Sequence, residues 1–265
     1  MIAKNTREAS LGGIPSSINK VRAYVRVLAA RKELGDRTDT FKKVNDDYAW
    51  VIVFYLIRSG LIQDAVKYIG DNDKAFKNLD PLFVTAIQEY AKNDERRLPR
   101  DVQAKLNTKF GNFKNAAEGT IDPYHFACMK IVGRCELNKR TLDGVRIDMD
   151  DWIWLHFILA REASRVDEAA NEVFNLQNLR TTVADIGKRH FSQNSESGSS
   201  FGSFFYLQIL AGMFEDAVAY LYQHNPVASV HFAITLAYYG LLRVSDYSNS
   251  NNLSKYTHFA CLTSH

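Results

Sequence analysis

One stretch of the chain occurs twice, and this repeat restricts the fold more than any other feature. The segments Ile57–Tyr68 and Ile209–Tyr220 are identical at six positions, including a glycine, an aspartate and an Ala-Val pair. In each copy the glycine can reverse the chain, and the small alanine lets a second helix pack closely on the first. Each copy is therefore predicted to be a helical hairpin. Because a single hairpin cannot bury both of its faces, we expect hairpins to stack on their neighbours as in a solenoid.

The rest of the chain also indicates helices. Start and stop signals for helices recur, whereas alternating strand patterns bounded by hairpin turns are nearly absent. The first amphipathic helix is predicted to begin after Ser16 or Ser17. Asn45 or Asp46 is expected to cap a very apolar second helix, which Gly60 ends by adopting the left-handed conformation.

Prolines mark further helix starts. Asp80-Pro81 and Asp122-Pro123 each place a capping carboxylate before a proline at the first helical position, where the missing N–H costs nothing. Pro99 is predicted to open a helix over 101–113 in the same way. These signals are local, and together they predict an all-α protein.

The later part of the chain is less even. Residues 168–191 are less regular, the Ser-, Gly- and Asn-rich stretch 192–203 favours an exposed loop, and helices are expected to resume at Phe204. The helices are too uneven for a fixed 34-residue period, so we predict an irregular α-solenoid of stacked antiparallel helical hairpins. The predicted organisation has three parts: an N-terminal extended segment (1–15), an α-solenoid segment (16–242) and a polar, divergent C-terminal tail (243–265).

Composition excludes several classes of function. The net charge of +3 over 265 residues is too small for a protein that binds the phosphate backbone, so a protein partner is favoured over nucleic acid. Three cysteines indicate a reducing compartment, the cytosol or the nucleus. The apolar runs 49–57 and 152–160 are about half as long as a membrane-spanning helix, so no membrane insertion is expected. The N-terminus has no apolar signal sequence.

Two groups of residues could carry chemistry. His125, Cys128 and Cys135 are predicted to lie on one helix and could share a face, but no fourth metal ligand is evident. We interpret them as core residues. A cysteine nucleophile would need a histidine and an orienting group brought together by the fold, and no local motif indicates this.

Asp148, Asp150 and Asp151 form an acidic cluster, which with His156 could hold a divalent metal in an all-α enzyme. We favour helix capping, because the cluster sits at the start of the predicted Trp152 helix, where the helix dipole favours negative charge. Glycine-rich phosphate loops and HExxH are both missing. We therefore predict no catalytic residues, no cofactor and no metal.

Charged and aromatic residues are also grouped. The basic clusters are Lys20, Arg22, Arg26, Arg31 and Lys32, and then Arg96, Arg97 and Arg100. Both are interpreted as solvated helix faces, with an acidic partner as the alternative. Two isolated Phe-Gly pairs, Phe110-Gly111 and Phe201-Gly202, are assigned to the core or to loops. Aromatic clusters such as Tyr238-Tyr239 are attributed mostly to core packing, although some could line a groove for a partner helix.

Several motifs together resemble the nucleoporin-interacting component (Nic) family. They are Leu11-Gly12-Gly13-Ile14-Pro15, Arg96-Arg97-Leu98, Asp122-Pro123-Tyr124, Ile131-Val132-Gly133-Arg134-Cys135, Asp151-Trp152-Ile153-Trp154 and the Ala217-Val218 hairpin. The resemblance implies a non-enzymatic α-solenoid scaffold of the inner ring of the nuclear pore, located at the nuclear envelope. The chain resembles a segment of that solenoid, because the family also has an N-terminal coiled-coil region and further helices.

The resemblance also implies partners. They are large inner-ring scaffold nucleoporins and a linker nucleoporin, while recruitment of the channel Phe-Gly trimer belongs to the N-terminal coiled-coil region of the family. No partner-binding residue can be named from the sequence. Two alternatives remain open: a helical-repeat adaptor of another complex, such as a vesicle coat or a proteasome-lid-like assembly, and the all-α metal-dependent enzyme.

Overall fold

The computed structural model describes residue 9 and residues 16–35, 38–115, 121–162, 172–190 and 201–242. The chain divides into two compact units, unit 1 over residues 1–174 and unit 2 over residues 175–265. Apart from residue 9, the predicted terminal segments 1–15 and 243–265 lie outside the described residues, so their boundaries stay predictions. None of the described helices is both long enough and apolar enough to cross a bilayer.

The described part of unit 1 is helical, with one very short β-hairpin between the helices that begin at Ser17 and Ala49. Its helices are α1 (Ser17–Ala30), α2 (Ala49–Arg58), α3 (Ile62–Asp71), α4 (Asp73–Leu79), α5 (Pro81–Lys92), α6 (Arg100–Lys114), α7 (Pro123–Gly133) and α8 (Met149–Leu159). A 3₁₀ turn (Thr38–Thr40) precedes strands β1 (Lys43–Val44) and β2 (Asp47–Tyr48), which are antiparallel.

The hairpin corrects one predicted cap. Asn45 and Asp46, with φ of 50° and 64°, form the turn between β1 and β2, and Tyr48 precedes the first residue of α2. The prediction that Asn45 or Asp46 caps this helix was wrong. Both residues tolerate the left-handed conformation well, which is why the sequence uses them in a tight turn as readily as at a helix start.

Helix α2 forms the centre of unit 1. It contacts α1, α3 and α7, and every residue from Ala49 to Ile57 except Tyr55 is buried. The Trp50 ring meets the rings of Phe76 on α4 and Phe83 on α5 edge to face, with centroids 5.3 and 5.1 Å apart. An apolar helix of this kind is stable only because neighbouring helices cover it on all sides.

The predicted aspartate caps before prolines are confirmed. The Phe83 amide donates to Asp80 Oδ1 at 2.9 Å, and the Tyr124 amide donates to Asp122 Oδ1 at 3.0 Å. At the first helix, the Asn19 amide donates to Ser16 Oγ at 3.1 Å.

Unit 2 contains four helices in its described part. They are α9 (Leu176–His190), α10 (Phe201–Leu210), α11 (Phe214–His224) and α12 (Pro226–Tyr238). Two predictions were wrong here. The stretch 168–191 was predicted to be less regular, but it contains the regular helix α9, and α10 begins at Phe201 rather than Phe204. The missing side chain of Gly187 leaves room for the Phe204 ring, because a Cβ at Gly187 would lie 2.3 Å from Cζ of that ring. Close packing of α9 against α10 thus outweighs the weak helix propensity of the polar residues in these two helices.

Both glycines of the internal repeat form the predicted turns. Gly60 has φ of 74° and Gly212 has φ of 65°. The Gly60 amide donates to the Ile57 carbonyl at 3.0 Å, and the next amide donates to the Leu56 carbonyl at 2.9 Å. The same pair of bonds recurs at Gly212, at 3.0 and 2.9 Å. These are Schellman turns, which satisfy the last carbonyls of a helix and require a residue with positive φ. The helical-hairpin prediction is confirmed in both units.

Candidate functional site

His125, Cys128 and Cys135 each bond to a different partner in the core. Helix α7 carries the first two but ends at Gly133, so the prediction that all three lie on one helix was wrong. Cys128 Sγ donates to the Trp50 carbonyl at 3.8 Å, and Cys135 Sγ donates to the Met129 carbonyl at 3.6 Å. Burial raises the pKa of Cys128, and it raises the pKa of Cys135 to about 12. Since a nucleophilic cysteine needs a lowered pKa, both thiols belong to the core.

His125 instead takes part in a buried polar group, which we call the Asp80 centre: Asp80, Lys109 and His125. His125 Nε2 lies 2.8 Å from Asp80 Oδ2, and Lys109 Nζ lies 2.7 Å from Asp80 Oδ1. Burial alone raises the pKa of Asp80, but the bonds from His125, Lys109 and the Phe83 amide outweigh it and lower the pKa to about 2. The carboxylate therefore stays ionised and joins α5, α6 and α7.

Aromatic rings enclose this centre. The His125 ring stacks on Trp50 with centroids 3.9 Å apart, and the Phe113 ring stands at 5.5 Å. The imidazole is thus held between an ionised partner and the Trp50 ring at the start of α2. The arrangement therefore holds α5, α6 and α7 against α2.

The acidic cluster acts as a cap, as predicted. The Asp151 amide donates to Asp148 Oδ1 at 2.8 Å, and the Asp148 amide donates to Asp151 Oδ2 at 3.4 Å, which completes a capping box. Asp151 Oδ1 also accepts a bond from Arg58 Nε at 2.6 Å. Asp148 and Asp151, two of the four residues considered as metal ligands, are therefore engaged in the capping box and in the ion pair with Arg58.

His156, the fourth residue of that alternative, is buried in the core. Its Nδ1 lies 2.9 Å from the Trp152 carbonyl, and its ring lies 3.9 Å from the Trp152 ring. Burial lowers the pKa of His156 to about 4, although the bond to the Trp152 carbonyl opposes this shift. Among the described residues, no group of three or more His, Cys, Asp or Glu could hold a metal ion.

The first basic cluster is only partly solvated. Arg22 Nε donates to Asp47 Oδ2 at 2.7 Å, and Arg26 Nε donates to Asp47 Oδ1 at 3.1 Å. Asp47 is buried, so these arginines attach α1 to the β-hairpin. The predicted solvated face is thus only part of their role, since Arg22 and Arg26 remain about a third exposed while they pair with Asp47.

Arg96 and Arg97 of the second basic cluster line a small pocket. The pocket is lined by Arg96, Arg97, Leu98, Gln103, Val132, Gly133 and Arg134. Arg97 is buried, Arg100 Nη1 bonds to Glu172 Oε2 at 2.8 Å, and Arg134 Nε donates to the Leu159 carbonyl at 3.1 Å. The prediction of a solvated face was wrong here, since these guanidinium groups connect the ends of α6, α7 and α8.

A buried lysine was missed at the sequence level. Lys130 stands within the apolar run of α7, is 2% exposed, and donates through Nζ to the Lys139 carbonyl. Burial lowers its pKa, while Glu136, with Oε2 at 3.6 Å, opposes the shift. The only available signal was a single charge inside an apolar helix, which indicates a paired residue.

The exposed large apolar residues are concentrated in unit 2. They are Tyr206, Leu210, Tyr222, Val227, Phe232, Ile234, Tyr238, Tyr239 and Leu241, whereas Met149 is the one recorded in the described part of unit 1. Tyr238 and Tyr239 are 83% and 70% exposed, so the assignment of this pair to the core was wrong.

Comparison with known proteins gives consistent results. A profile of the family described as Nup93/Nic96 matches residues 1–263. Nucleoporin NIC96 of Chaetomium thermophilum is 46% identical over 255 residues, which are 95% of this chain and 23% of that protein. The Meiotically up-regulated gene 87 protein of Schizosaccharomyces pombe is 35% identical over 248 residues, 94% of this chain and 29% of that protein.

A solved structure agrees with the fold. The crystal structure of Chaetomium thermophilum Nic96 SOL matches 95% of this chain with a TM-score of 0.89, and the chain covers 36% of that structure. The chain thus spans between about a quarter and a third of the relatives it matches.

Proposed function

Because the chain belongs to the Nup93/Nic96 family, we propose that it is a structural segment of a scaffold nucleoporin. In this role it binds other nucleoporins in the inner ring of the nuclear pore complex, at the nuclear envelope. It supports protein and mRNA transport indirectly, by contributing to pore assembly. The observation that carries the proposal is the 46% identity, with a TM-score of 0.89, to Chaetomium thermophilum Nic96 SOL.

The chemistry of unit 1 is consistent with a structural role. Its buried charges are engaged in holding helices together, as at the Asp80 centre and at the bonds from Arg22 and Arg26 to Asp47. Buried ionic groups of this kind are costly to break singly, so they favour one arrangement of the helices. Such a segment can transmit load between neighbours without changing shape.

The partners are a finer part of the proposal. We assign to this segment contacts with large inner-ring scaffold nucleoporins and with a linker nucleoporin, in line with the family resemblance. Stacked helical hairpins present extended surfaces to which a partner helix or a short linear motif can bind. The channel Phe-Gly trimer is not assigned to this segment. An adaptor of a coat or of a proteasome-lid-like complex is disfavoured, since the Chaetomium relative is a nucleoporin.

A chimera tests this role. This chain replaces the matched region of Chaetomium thermophilum NIC96, and the fluorescently tagged chimera is imaged for enrichment at the nuclear rim. We expect rim enrichment equal to that of the relative itself. Trp50→Ala in the chimera should reduce it by disrupting unit 1, whereas Met149→Asp, at an exposed position, should not. A folded chimera that stays diffuse would contradict the proposal.

Binding is measured separately. The purified chain is titrated by calorimetry with purified inner-ring scaffold nucleoporins and with the linker nucleoporin. We expect saturable binding to at least one of them. If none binds while the chimera reaches the rim, the partner assignment is wrong and the scaffold role stands.

A further inference from the structure

Arg96 has a backbone conformation that an arginine rarely adopts. It lies in the tight turn after α5, where its amide donates to the Asn93 carbonyl at 2.8 Å and its φ is 52°. This left-handed conformation strains a residue that has a Cβ, and glycine or asparagine adopts it more easily. Local backbone geometry thus disfavours arginine at this position, and a compensating interaction would have to come from its side chain.

The side chain of Arg96 is available for such an interaction. It is partly exposed, and in the described part of the chain it makes neither a hydrogen bond nor an ion pair. The backbone carbonyl of Arg96 does have a partner, because it accepts a bond from Arg161 Nη2 at 3.3 Å. The turn is therefore attached to the end of α8 through its backbone, and this contact does not need the Arg96 guanidinium.

The guanidinium of Arg161 is hydrogen-bonded but not neutralised. Its Nη1 donates to the Ile158 and Ala160 carbonyls, both at 2.6 Å, and its Nη2 donates to the carbonyl of Arg96. Carbonyl oxygens satisfy N–H groups, but they do not supply the full negative charge of a carboxylate. Among the described residues Arg161 has no carboxylate partner.

Two carboxylates pair with other arginines of this region. Glu95 Oε2 lies 3.4 Å from Arg97 Nε, and Glu172 Oε2 lies 2.8 Å from Arg100 Nη1. Within the described ranges, neither carboxylate bonds to the two side chains considered above. Their positive charge is thus left without a counter-charge in this part of the chain.

The surroundings of these two side chains are positively charged. The small pocket beside the turn is lined by three arginines, Arg96, Arg97 and Arg134, and by no aspartate or glutamate. Burial lowers the pKa of Arg161, and the charges of Arg97 and Arg96 lower it further, while one tyrosine opposes the shift. Like charges held this close together favour the binding of an anion.

We propose that Arg96 and Arg161, with the pocket beside Arg96, form a binding site for a carboxylate on an acidic segment of a partner protein. Arg96 makes the direct contact, since a bidentate bond to a carboxylate would offset the strain of its backbone. Arg161 adds positive charge from a position fixed by its carbonyl bonds. A protein is favoured over nucleic acid because the whole chain carries a net charge of only +3. The proposal rests on the proposed function only in that a nucleoporin supplies the segment.

Two glycine substitutions test the site. Arg96→Gly removes the side chain and relieves the strained φ, so the variant should keep its stability. Lys32→Gly is the matched control, because Lys32 is an exposed basic residue of the first basic cluster with φ of 55°. Each variant loses one positive charge from a left-handed position. Thermal unfolding followed by circular dichroism verifies that both variants fold.

Binding is measured by fluorescence anisotropy with a fluorescein-labelled oligoglutamate peptide and the purified chain. We expect saturable binding that weakens roughly fivefold in Arg96→Gly and less than about twofold in Lys32→Gly. The affinity should also fall as the salt concentration rises, because salt screens exposed charges. Parallel titrations use inorganic phosphate and a single-stranded oligonucleotide in place of the peptide.

Three outcomes would overturn the proposal. The first is that the peptide does not bind, or binds wild type and Arg96→Gly equally. The second is an equal loss in the two variants, which would mean that the peptide responds only to overall charge. The third is Arg96-dependent binding of phosphate or of the oligonucleotide without binding of the peptide, which would assign the site to phosphate groups. In none of these cases does the rim enrichment of the chimera change, so the scaffold role is tested separately.

Discussion

The two matched hairpins have related sequences but very different surroundings. In unit 1, α2 is covered by α1, α3 and α7, and eight of its ten residues are buried. In unit 2, α10 is equally apolar in composition, but only Phe204, Leu207 and Gln208 of its ten residues are buried. The glycine turns are alike, with φ of 74° and 65°.

The difference shows that the hairpin motif does not determine how much surface is buried. The turn and the small alanine bring two helices together, and neighbouring elements decide the rest. Unit 1 should therefore lose much more stability than unit 2 when an aromatic side chain is removed. The predictions below compare the two units on this basis.

The largest effect is expected from Trp50→Ala. Trp50 is 1% exposed and contacts Phe76, Phe83 and His125, so its removal leaves a large cavity. We expect a loss of about 3–5 kcal/mol in the free energy of unfolding. Urea unfolding can be followed by fluorescence of the two remaining tryptophans, Trp152 and Trp154, which both lie in unit 1.

Tyr238→Ala in unit 2 is the matched control. Because its side chain is 83% exposed, we expect a change below about 0.5 kcal/mol, measured by far-ultraviolet circular dichroism. If the two variants lost similar stability, the contrast between the units would be wrong.

The second comparison concerns two helix caps before prolines. Asp80 caps α5 and also bonds to Lys109 and His125, whereas Asn225 caps α12 through the Ala228 amide at 3.0 Å and is exposed. Asp80→Ala leaves the buried His125 and the partly exposed Lys109 without their partner, so we expect a loss of about 2–4 kcal/mol. Asn225→Ala removes only a cap and should cost about 1 kcal/mol.

Chemical denaturation of the two variants checks this difference. Asp80→Asn separates the two contributions, since it keeps a hydrogen-bonding side chain but removes the charge. We expect its stability to fall between those of the wild type and Asp80→Ala. Equal losses for Asp80→Ala and Asn225→Ala would mean that the Asp80 centre contributes no more than a surface cap.

Local signals explain which parts of the fold could be predicted. Asp80, Asp122 and the two hairpin glycines were identified because a cap or a turn is determined within a few residues. The partners of Asp80 could not be identified in this way. His125 is 45 residues away in sequence, and nothing in the local pattern shows that α5 and α7 meet.

Burial was the least predictable property. Arg22 has the pattern of a solvated residue, but the β-hairpin places the buried carboxylate of Asp47 beside it. Tyr238 has the pattern of a core residue, yet it is exposed. In both cases the burial of the side chain depends on whether another element covers the helix. Hydrophobic periodicity alone does not show this.

The pH dependence of stability gives a third, intermediate effect that is specific to unit 1. Burial lowers the pKa of His156 from its ordinary value of 6.5 to about 4. Between these values the unfolded chain binds more protons than the folded one, so stability is full above about pH 6.5 and falls as the pH drops towards 4.

His156→Phe keeps an aromatic ring without the titrating group. Its urea midpoint, followed by tryptophan fluorescence, should depend less on pH in this window than that of the wild type. An unchanged pH slope would contradict a neutral, buried His156.

Apart from the controls Tyr238→Ala and Asn225→Ala, the smallest effect is expected at the turns. A Cβ at Gly60 would meet no atom within 4 Å, so Gly60→Val is costly mainly because a β-branched residue is strained at a φ of 74°. We expect a loss of about 1–2 kcal/mol.

A Cβ at Gly212 would also lie 2.9 Å from Arg180 Nη2, whose guanidinium donates to the Gly212 carbonyl at 3.1 Å. Gly212→Val should therefore combine the same strain with displacement of a flexible side chain and lose slightly more. Thermal unfolding of both variants measures the difference. Unchanged melting temperatures would mean that neither turn depends on glycine. A larger loss of stability for Gly60→Val than for Gly212→Val would mean that the helices packed around a hairpin, rather than its own backbone, determine the cost of a substitution at the turn.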